Sequence, residues 1–221
     1  MNRDLLRVYV ILDPSHCAGR PLDQVARQAV EGGATLLQLR AEGCSTYEQV
    51  LLGTRLRIVS RELGVPLVIN DRLDVAQAVQ ADGVHVGHPG VDDMPPDIAR
   101  ALLGPRAIVG VSVATPEEAV GAARLGASYL SVGPIFATSS KGDAGPVVGP
   151  GRLRAVRGAS DLPLCAIGGI TASSAAEAVR AGADGVAVLS AVCAAPDPAH
   201  SARELAGEVV RALAERVAHS E

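Results

Sequence analysis

Aromatic side chains are nearly missing from this sequence. Among 221 residues there is no tryptophan, one phenylalanine and three tyrosines. Single-stranded nucleic acids are bound by stacking bases on exposed rings, and a chain with so few rings has little from which to build such a platform. Lysine is scarcer still: Lys141 is the only one, and apart from five histidines every other basic side chain is an arginine. With a formal net charge of −4, no basic field recruits polyanions, so any anion site must be local. The four cysteines, Cys17, Cys44, Cys165 and Cys193, include no Cys-x-x-Cys pair. They read as reduced thiols, neither a disulfide frame nor a zinc site. No segment approaches the roughly 18 consecutive apolar residues of a membrane span. Met1-Asn2-Arg3-Asp4 leads directly into a strand-like run without the apolar stretch of a signal peptide. The expectation is a cytoplasmic chain whose partners are small molecules, not nucleic acid or a membrane, with a homo-oligomer left open.

What is present is a rhythm. Apolar residues make up 48% of the chain, and they fall in short runs separated by longer stretches of helical period. The runs at 8–12, 35–39, 67–70, 83–86, 108–111, 129–132, 164–167 and 185–189 read as strands. Helices are expected at 22–31, 46–63, 74–80, 96–103, 116–125, 150–157, 172–181 and 202–217. Strands that are nearly all apolar imply burial on both faces, as in a parallel sheet flanked by helices. Glu31-Gly32-Gly33-Ala34, Leu125-Gly126-Ala127-Ser128 and Ala181-Gly182-Ala183-Asp184 repeat one punctuation, a glycine C-cap followed by the next strand. Eight such units of roughly 28 residues predict a single α/β domain over 1–221, a (β/α)₈ TIM barrel. A doubly wound open sheet would carry a glycine cradle after its first strand, and here that place holds Asp13-Pro14-Ser15-His16-Cys17.

In a barrel of this kind chemistry collects at the C-terminal ends of the strands. Those ends read Gln38-Leu39-Arg40, Asn70-Asp71-Arg72, His85-Val86-Gly87-His88 followed by Asp92-Asp93, Gly110-Val111-Ser112, Gly168-Gly169-Ile170-Thr171 and Leu189-Ser190. After the sixth strand comes the polar loop Gly133-Pro134-Ile135-Phe136-Ala137-Thr138-Ser139-Ser140-Lys141. A lone lysine beside three hydroxyls, in an otherwise arginine-based chain, marks a place where a compact ammonium is wanted. Gly168 and Gly169 are expected to open a helix whose first N–H groups accept an anion, with Ser190 adding an N–H and a hydroxyl. Phosphate bound after strands seven and eight recurs in such barrels. Asp71 and the Asp92/Asp93 pair suit Mg²⁺ bridging to substrate phosphates, although Asp71 can equally cap a helix beginning at Arg72. His85 and His88 would need further ligands to hold zinc. Glu117 and Glu118 fit the first turn of a capped helix.

Taken together, these strand ends resemble the thiamine-phosphate synthase family, along nearly the whole chain from Tyr9 to Ala191. Ile69-Asn70-Asp71-Arg72, Ala81-Asp82-Gly83-Val84-His85-Val86-Gly87 and Leu189-Ser190-Ala191 belong to the same ordered series of matching pieces. The resemblance implies a dissociative substitution: a hydroxymethylpyrimidine diphosphate loses pyrophosphate to leave a pyrimidine cation stabilised by the ring's amino group, and the nitrogen of a hydroxyethylthiazole phosphate attacks the exposed methylene. The product is thiamine phosphate, and Mg²⁺ is the cofactor. It further implies that Gln38, Leu39, Arg40, Ala41, Glu42 and Asn70 line the pyrimidine diphosphate. Ser112 and Lys141 contact it, and Lys141, Ser112 and Arg40 carry catalysis. Thr138, Ser139, Ser140, Gly169, Leu189 and Ser190 hold the thiazole phosphate, and Asp71 with Asp93 holds the metal.

Two departures from the family pattern stand out. A lysine usually follows the arginine of Gln-x-Arg by two places; here that place is Glu42, an inversion of charge beside a diphosphate. The expectation is that Glu42 points out of the site. After strand four, His88-Pro89-Gly90-Val91 precedes Asp92-Asp93-Met94-Pro95, and alignment on the proline assigns Asp93 as the second metal ligand, with Asp92 as the fallback. Alternatives are the related thiazole tautomerase, whose histidine would fall at Ala114, and a barrel that binds phosphorylated thiazole without turnover.

Overall fold

Eight parallel strands hydrogen-bond in sequence order and close into a barrel, β1 pairing with both β2 and β8. The computed structural model describes residues 1–87, 94–140 and 145–218. The strands are β1 (Val8–Leu12), β2 (Leu36–Leu39), β3 (Leu67–Asn70), β4 (Gly83–Val86), β5 (Ile108–Val113), β6 (Tyr129–Val132), β7 (Leu164–Ile167) and β8 (Gly185–Val188). Between and after them run α1 (Leu22–Glu31), α2 (Thr46–Leu63), α3 (Leu73–Ala78), α4 (Pro96–Leu103), α5 (Pro116–Arg124), α6 (Gly149–Ala159), α7 (Ala172–Arg180), α8 (Ser190–Cys193) and α9 (Pro198–Ala218). This is the (β/α)₈ TIM barrel that the eightfold rhythm predicts. Among the described residues no helix is long and apolar enough to cross a membrane.

The differences from the sequence reading are local. β5 runs two residues further than the apolar run, to Val113, because parallel pairing with β6 continues through Ser112↔Ser131 and Val113↔Val132. Backbone ladders do not end where polarity begins. α8 and two 3₁₀ turns, Arg3–Leu6 and Pro14–His16, are too short to carry a helical period.

Alternation along each strand sorts side chains into two layers. Val8, Val10 and Leu12 face the helices and join the large outer core, whereas Tyr9 and Ile11 face the lumen with Leu36, Val68, Tyr129, Cys165 and Ala187. The N-terminal end of the lumen is pinned by a device repeated four times. Thr35, Asp82, Ser128 and Asp184 immediately precede the even-numbered strands. Their N–H groups donate to the carbonyls of Val8, Leu67, Val109 and Leu164 at 2.7–2.8 Å. Their side-chain oxygens accept from the N–H groups of those same residues at 3.1, 2.8, 3.0 and 2.9 Å. Three arginines, Arg57, Arg100 and Arg157, donate to the last three of these side chains from the helix layer. Each pair of strands is thereby clamped at its N-terminal end, and the opposite ends are left to form a mouth.

Candidate active site

The mouth opens into a cavity of about 870 Å³ whose walls come from the C-terminal ends of all eight strands. Of the expected site residues that the structure describes, Gln38, Arg40, Glu42, Asn70, Asp71, Ser112, Thr138, Ser139, Ser140, Gly169, Leu189 and Ser190 line it. Leu39 and Ala41 do not. Their side chains are buried in the outer core, on the far side of β2, and border a smaller cavity of about 210 Å³ that shares Glu42, Asn70 and Asp71 with the first. Strict alternation from inward-facing Gln38 requires this. Lys141, Asp92, Asp93 and His88 lie outside the described residues.

One wall is charged. Arg40, past the end of β2, donates from Nη1 to Asp13 Oδ2 at 2.8 Å and from Nη2 to Glu42 Oε2 at 2.6 Å. Asp13 is almost fully buried, Arg40 mostly so, and the Glu42 side chain is 51% exposed. The expectation that Glu42 points away is therefore wrong. Its carboxylate turns into the mouth because Arg40, two residues earlier, offers the nearest counter-charge. Asp13, which directly follows β1, does not line the cavity but holds Arg40 from behind, a partnership that strand-end position alone does not reveal.

Asn70 and Asp71 follow at the end of β3. Asp71 takes a left-handed backbone, φ +56°, which is unusual for a residue with a side chain. Its N–H donates to the His85 carbonyl at 2.8 Å, and its Oδ2 accepts from Asn70 Nδ2 at 2.6 Å. Asp71 does not cap a helix: α3 begins at Leu73 with Arg72 at the cap position and no side-chain cap bond. Glu118, by contrast, has the structural role expected of it, with its N–H on Thr115 Oγ1 at 3.2 Å.

The opposite wall is made of hydroxyls and backbone. Thr138 Oγ1 accepts from the Ser140 N–H at 3.2 Å, and Ser140 Oγ donates to Ser190 Oγ at 2.9 Å, tying the loop after β6 to the start of α8. Gly168 and Gly169 have φ +94° and +63°, but they do not open a helix, since α7 begins at Ala172. A Cβ on Gly168 would lie 2.6 Å from Pro134 Cα, and one on Gly169 would lie 2.3 Å from the Ala137 carbonyl oxygen. These glycines let the β6 and β7 loops pack against each other.

Between the walls the lumen is polar, and Tyr9, His85 and Ser131 join its lining. Burial drives the phenols of Tyr9 and Tyr129 well above their ordinary 10.0, so both stay neutral. His85 hydrogen-bonds Tyr129 and Ser112 within this lumen. Among the described residues no cluster of three His, Cys, Asp or Glu side chains is arranged to hold a metal.

A family model described as thiamine monophosphate synthase matches residues 8–192. The chain belongs to the thiamine monophosphate synthase family. The match starts at the first residue of β1 and ends inside α8, so every strand end that lines the cavity falls within it. The chain is 49% identical over 205 residues to thiamine-phosphate synthase of Natronomonas pharaonis, covering 91% of this chain and 94% of that one. It is 48% identical over 205 residues to thiamine-phosphate synthase of Moorella thermoacetica, with coverage of 93% and 96%. Among solved structures, thiamine phosphate pyrophosphorylase from Pyrococcus furiosus superposes with a TM-score of 0.85 at 39% identity, covering 96% of this chain and 98% of that one. As a thiamine monophosphate synthase family member the chain is an enzyme, and Glu42 sits at the rim of its cavity, paired with Arg40.

Proposed function

We propose that the chain is a cytoplasmic, single-domain, Mg²⁺-dependent thiamine-phosphate synthase. It condenses 4-amino-2-methyl-5-(diphosphooxymethyl)pyrimidine with hydroxyethylthiazole phosphate, or with its carboxylated form with additional loss of CO₂, to give thiamine phosphate and pyrophosphate. The observation that carries this reading is one cavity with an arginine-bearing wall on β1–β3 and a hydroxyl-rich wall on β6–β8. Two phosphorylated substrates would meet across a polar lumen.

Arg40 and Asn70 hold the diphosphate, assisted by Ser112 and Lys141, with Gln38 against the pyrimidine ring. Thr138, Ser139, Ser140 and Ser190, with the backbone of Gly169 and Leu189, hold the thiazole phosphate. The C–O bond between methylene and diphosphate breaks with its electron pair leaving on pyrophosphate. The thiazole nitrogen donates its lone pair to the methylene, and the positive charge ends on the thiazolium. No side chain has to act as a nucleophile, so the protein's contribution is positioning and neutralisation of developing charge. Asp71 fits a hard cation: its carboxylate lies at the cavity edge beside Asn70, and Mg²⁺ takes one or two carboxylates while keeping sites for phosphate and water. Asp71 and Asp93 would hold Mg²⁺, which would neutralise charge on the leaving pyrophosphate.

The test is to incubate the protein with both substrates and Mg²⁺ and follow pyrophosphate. Release that requires the thiazole phosphate and stops with EDTA is the expected result. Rearrangement of a thiazole carboxylate without pyrophosphate, or binding without turnover, would overturn it.

A further inference from the structure

Away from the mouth, α2 buries one side against the barrel and leaves the other bare. Its buried residues are Gln49, Gly53, Leu56, Val59 and Ser60. The helical repeat then sets Tyr47, Leu51, Thr54 and Ile58 along the outermost line. All four are exposed, and the three large ones heavily so: Tyr47 is 77%, Leu51 43% and Ile58 53% accessible. The outward face of a surface helix is ordinarily polar. A row of large apolar side chains there marks a surface that meets a partner. The steps along the row are four, three and four residues, the spacing of a seam by which two helices pack knobs into holes.

The charges beside the row indicate which partner it fits. Glu48 and Arg55 lie on the same flank of the row, two turns apart, and both are exposed. Glu48 is held in place by the capping box, with the Ser45 N–H and Oγ donating to its Oε2 at 2.8 and 2.7 Å. Arg55 has no side-chain partner among the described residues. Glu62, the next charge on this flank, is already paired with Arg27 of α1. When a second copy of α2 is turned end for end and laid row against row, Tyr47 meets Ile58 and Leu51 meets Thr54, each twice. The same register sets Glu48 of each copy beside Arg55 of the other.

We propose that the outward face of α2 is a two-fold interface with a second copy of this chain, the two helices antiparallel, the apolar row at the centre and a Glu48–Arg55 pair on either side of the axis. A two-fold contact uses one patch twice and so has to be complementary to itself, and this face is, in shape of sequence and in sign of charge. The apolar row supplies the attraction through removal of its surface from water. Solvent-exposed ion pairs add little energy; here they fix direction and register. One helix face is small for an interface, so the association is a weak one that depends on concentration. Ile98 and Leu102 on α4 are also exposed, but they make a shorter apolar pair and serve as the control.

The experiment is sedimentation equilibrium of the full chain from about 1 to about 200 µM, the range in which a small interface associates. The expected result is a wild-type mass that climbs from one copy toward two and no further. Leu51→Glu, with Ile58→Glu as a second variant, should weaken association by roughly tenfold or more, since each buries a charge at the centre of the contact. Arg55→Glu should weaken it by roughly threefold at low salt, with the difference shrinking as salt rises. Leu102→Glu should change nothing. A wild-type chain that stays single across the range, a mass that passes two copies, or an association that Leu51→Glu and Ile58→Glu leave intact would overturn the proposal. So would loss of association in Leu102→Glu, which would move the contact to α4, and indifference to Arg55→Glu would overturn the register.

Discussion

Glu42→Gln isolates one charge beside the arginine on the cavity wall. In the free protein Arg40 pairs with Asp13 at 2.8 Å and with Glu42 at 2.6 Å. A diphosphate that binds Arg40 competes with the Glu42 carboxylate and comes to lie next to it. Two like unit charges about 4 Å apart repel by about 1 kcal/mol in bulk water and about 4 kcal/mol at an effective dielectric near 20. Glu42 is half in solvent, which puts the cost toward the lower end, about 1–2 kcal/mol, or roughly five- to thirtyfold in affinity. Removing the charge should lower KM for the pyrimidine diphosphate and Ki for pyrophosphate by that factor. The gain should shrink as salt rises, since the pair is exposed to screening. Because pyrophosphate would leave more slowly, kcat should not rise. Steady-state kinetics with pyrophosphate as product inhibitor, at low and high ionic strength, reads all three quantities. Unchanged KM and Ki at low salt would refute the argument that Glu42 competes for Arg40.

Ser190→Ala removes the partner of Ser140 and should raise KM for the thiazole phosphate about tenfold, the scale of one hydrogen bond to a charged group. Lys141→Ala should lower turnover by about 10²-fold, as for loss of one preorganised charge donor; near-wild-type turnover would remove Lys141 from the site. Asp184, nearly fully buried, accepts from Arg3, Arg157 and Arg216. Asp184→Asn leaves three guanidinium groups around a neutral amide and should cost about 3 kcal/mol in urea unfolding. Glu48 closes the capping box of α2, and hydrogen bonds first from the Ser45 hydroxyl and then from its N–H hold its carboxyl below the ordinary 4.5. A depressed carboxyl stabilises above the unfolded value and loses that contribution as pH falls through the lower folded one. Glu48→Gln should therefore flatten the acid limb of the stability profile below about pH 4.5, read by thermal unfolding across that range.

The barrel was legible because parallel strands buried on both faces leave an uninterrupted apolar signature, and seven of the eight helices that were read from the sequence begin within one residue of the expected start. The helix-to-strand punctuation was legible for the same reason: Gly33, Gly126 and Gly182 all take positive φ, and the alanine after each bonds back to the carbonyl five residues earlier. Gln80 fills the same left-handed position ahead of Ala81 and Asp82, a fourth instance that sequence alone conceals because a residue with a side chain stands where glycine marks the others. The short helix at Ser190–Cys193 has one turn, and one turn has no period to detect.

At the site, residue type and strand-end position pointed to eleven of the twelve described lining residues, and the family resemblance added Glu42, because in this fold the ladder itself delivers strand ends to a common rim. Orientation was another matter. Leu39 and Ala41 share a stretch with Gln38 and Arg40 yet face the helices, since the pleat sends neighbours to opposite sides. Glu42 turns inward because a buried Asp13, 27 positions before Arg40, holds that arginine where Glu42 can reach it. In the lumen the Tyr9 and Tyr129 hydroxyls, 120 positions apart, meet at 2.9 Å, a hydrogen bond that no local spacing encodes. Composition and period determine that a barrel forms and which residues reach its mouth. Which way each polar group points there is settled by partners that only barrel closure brings within 3 Å.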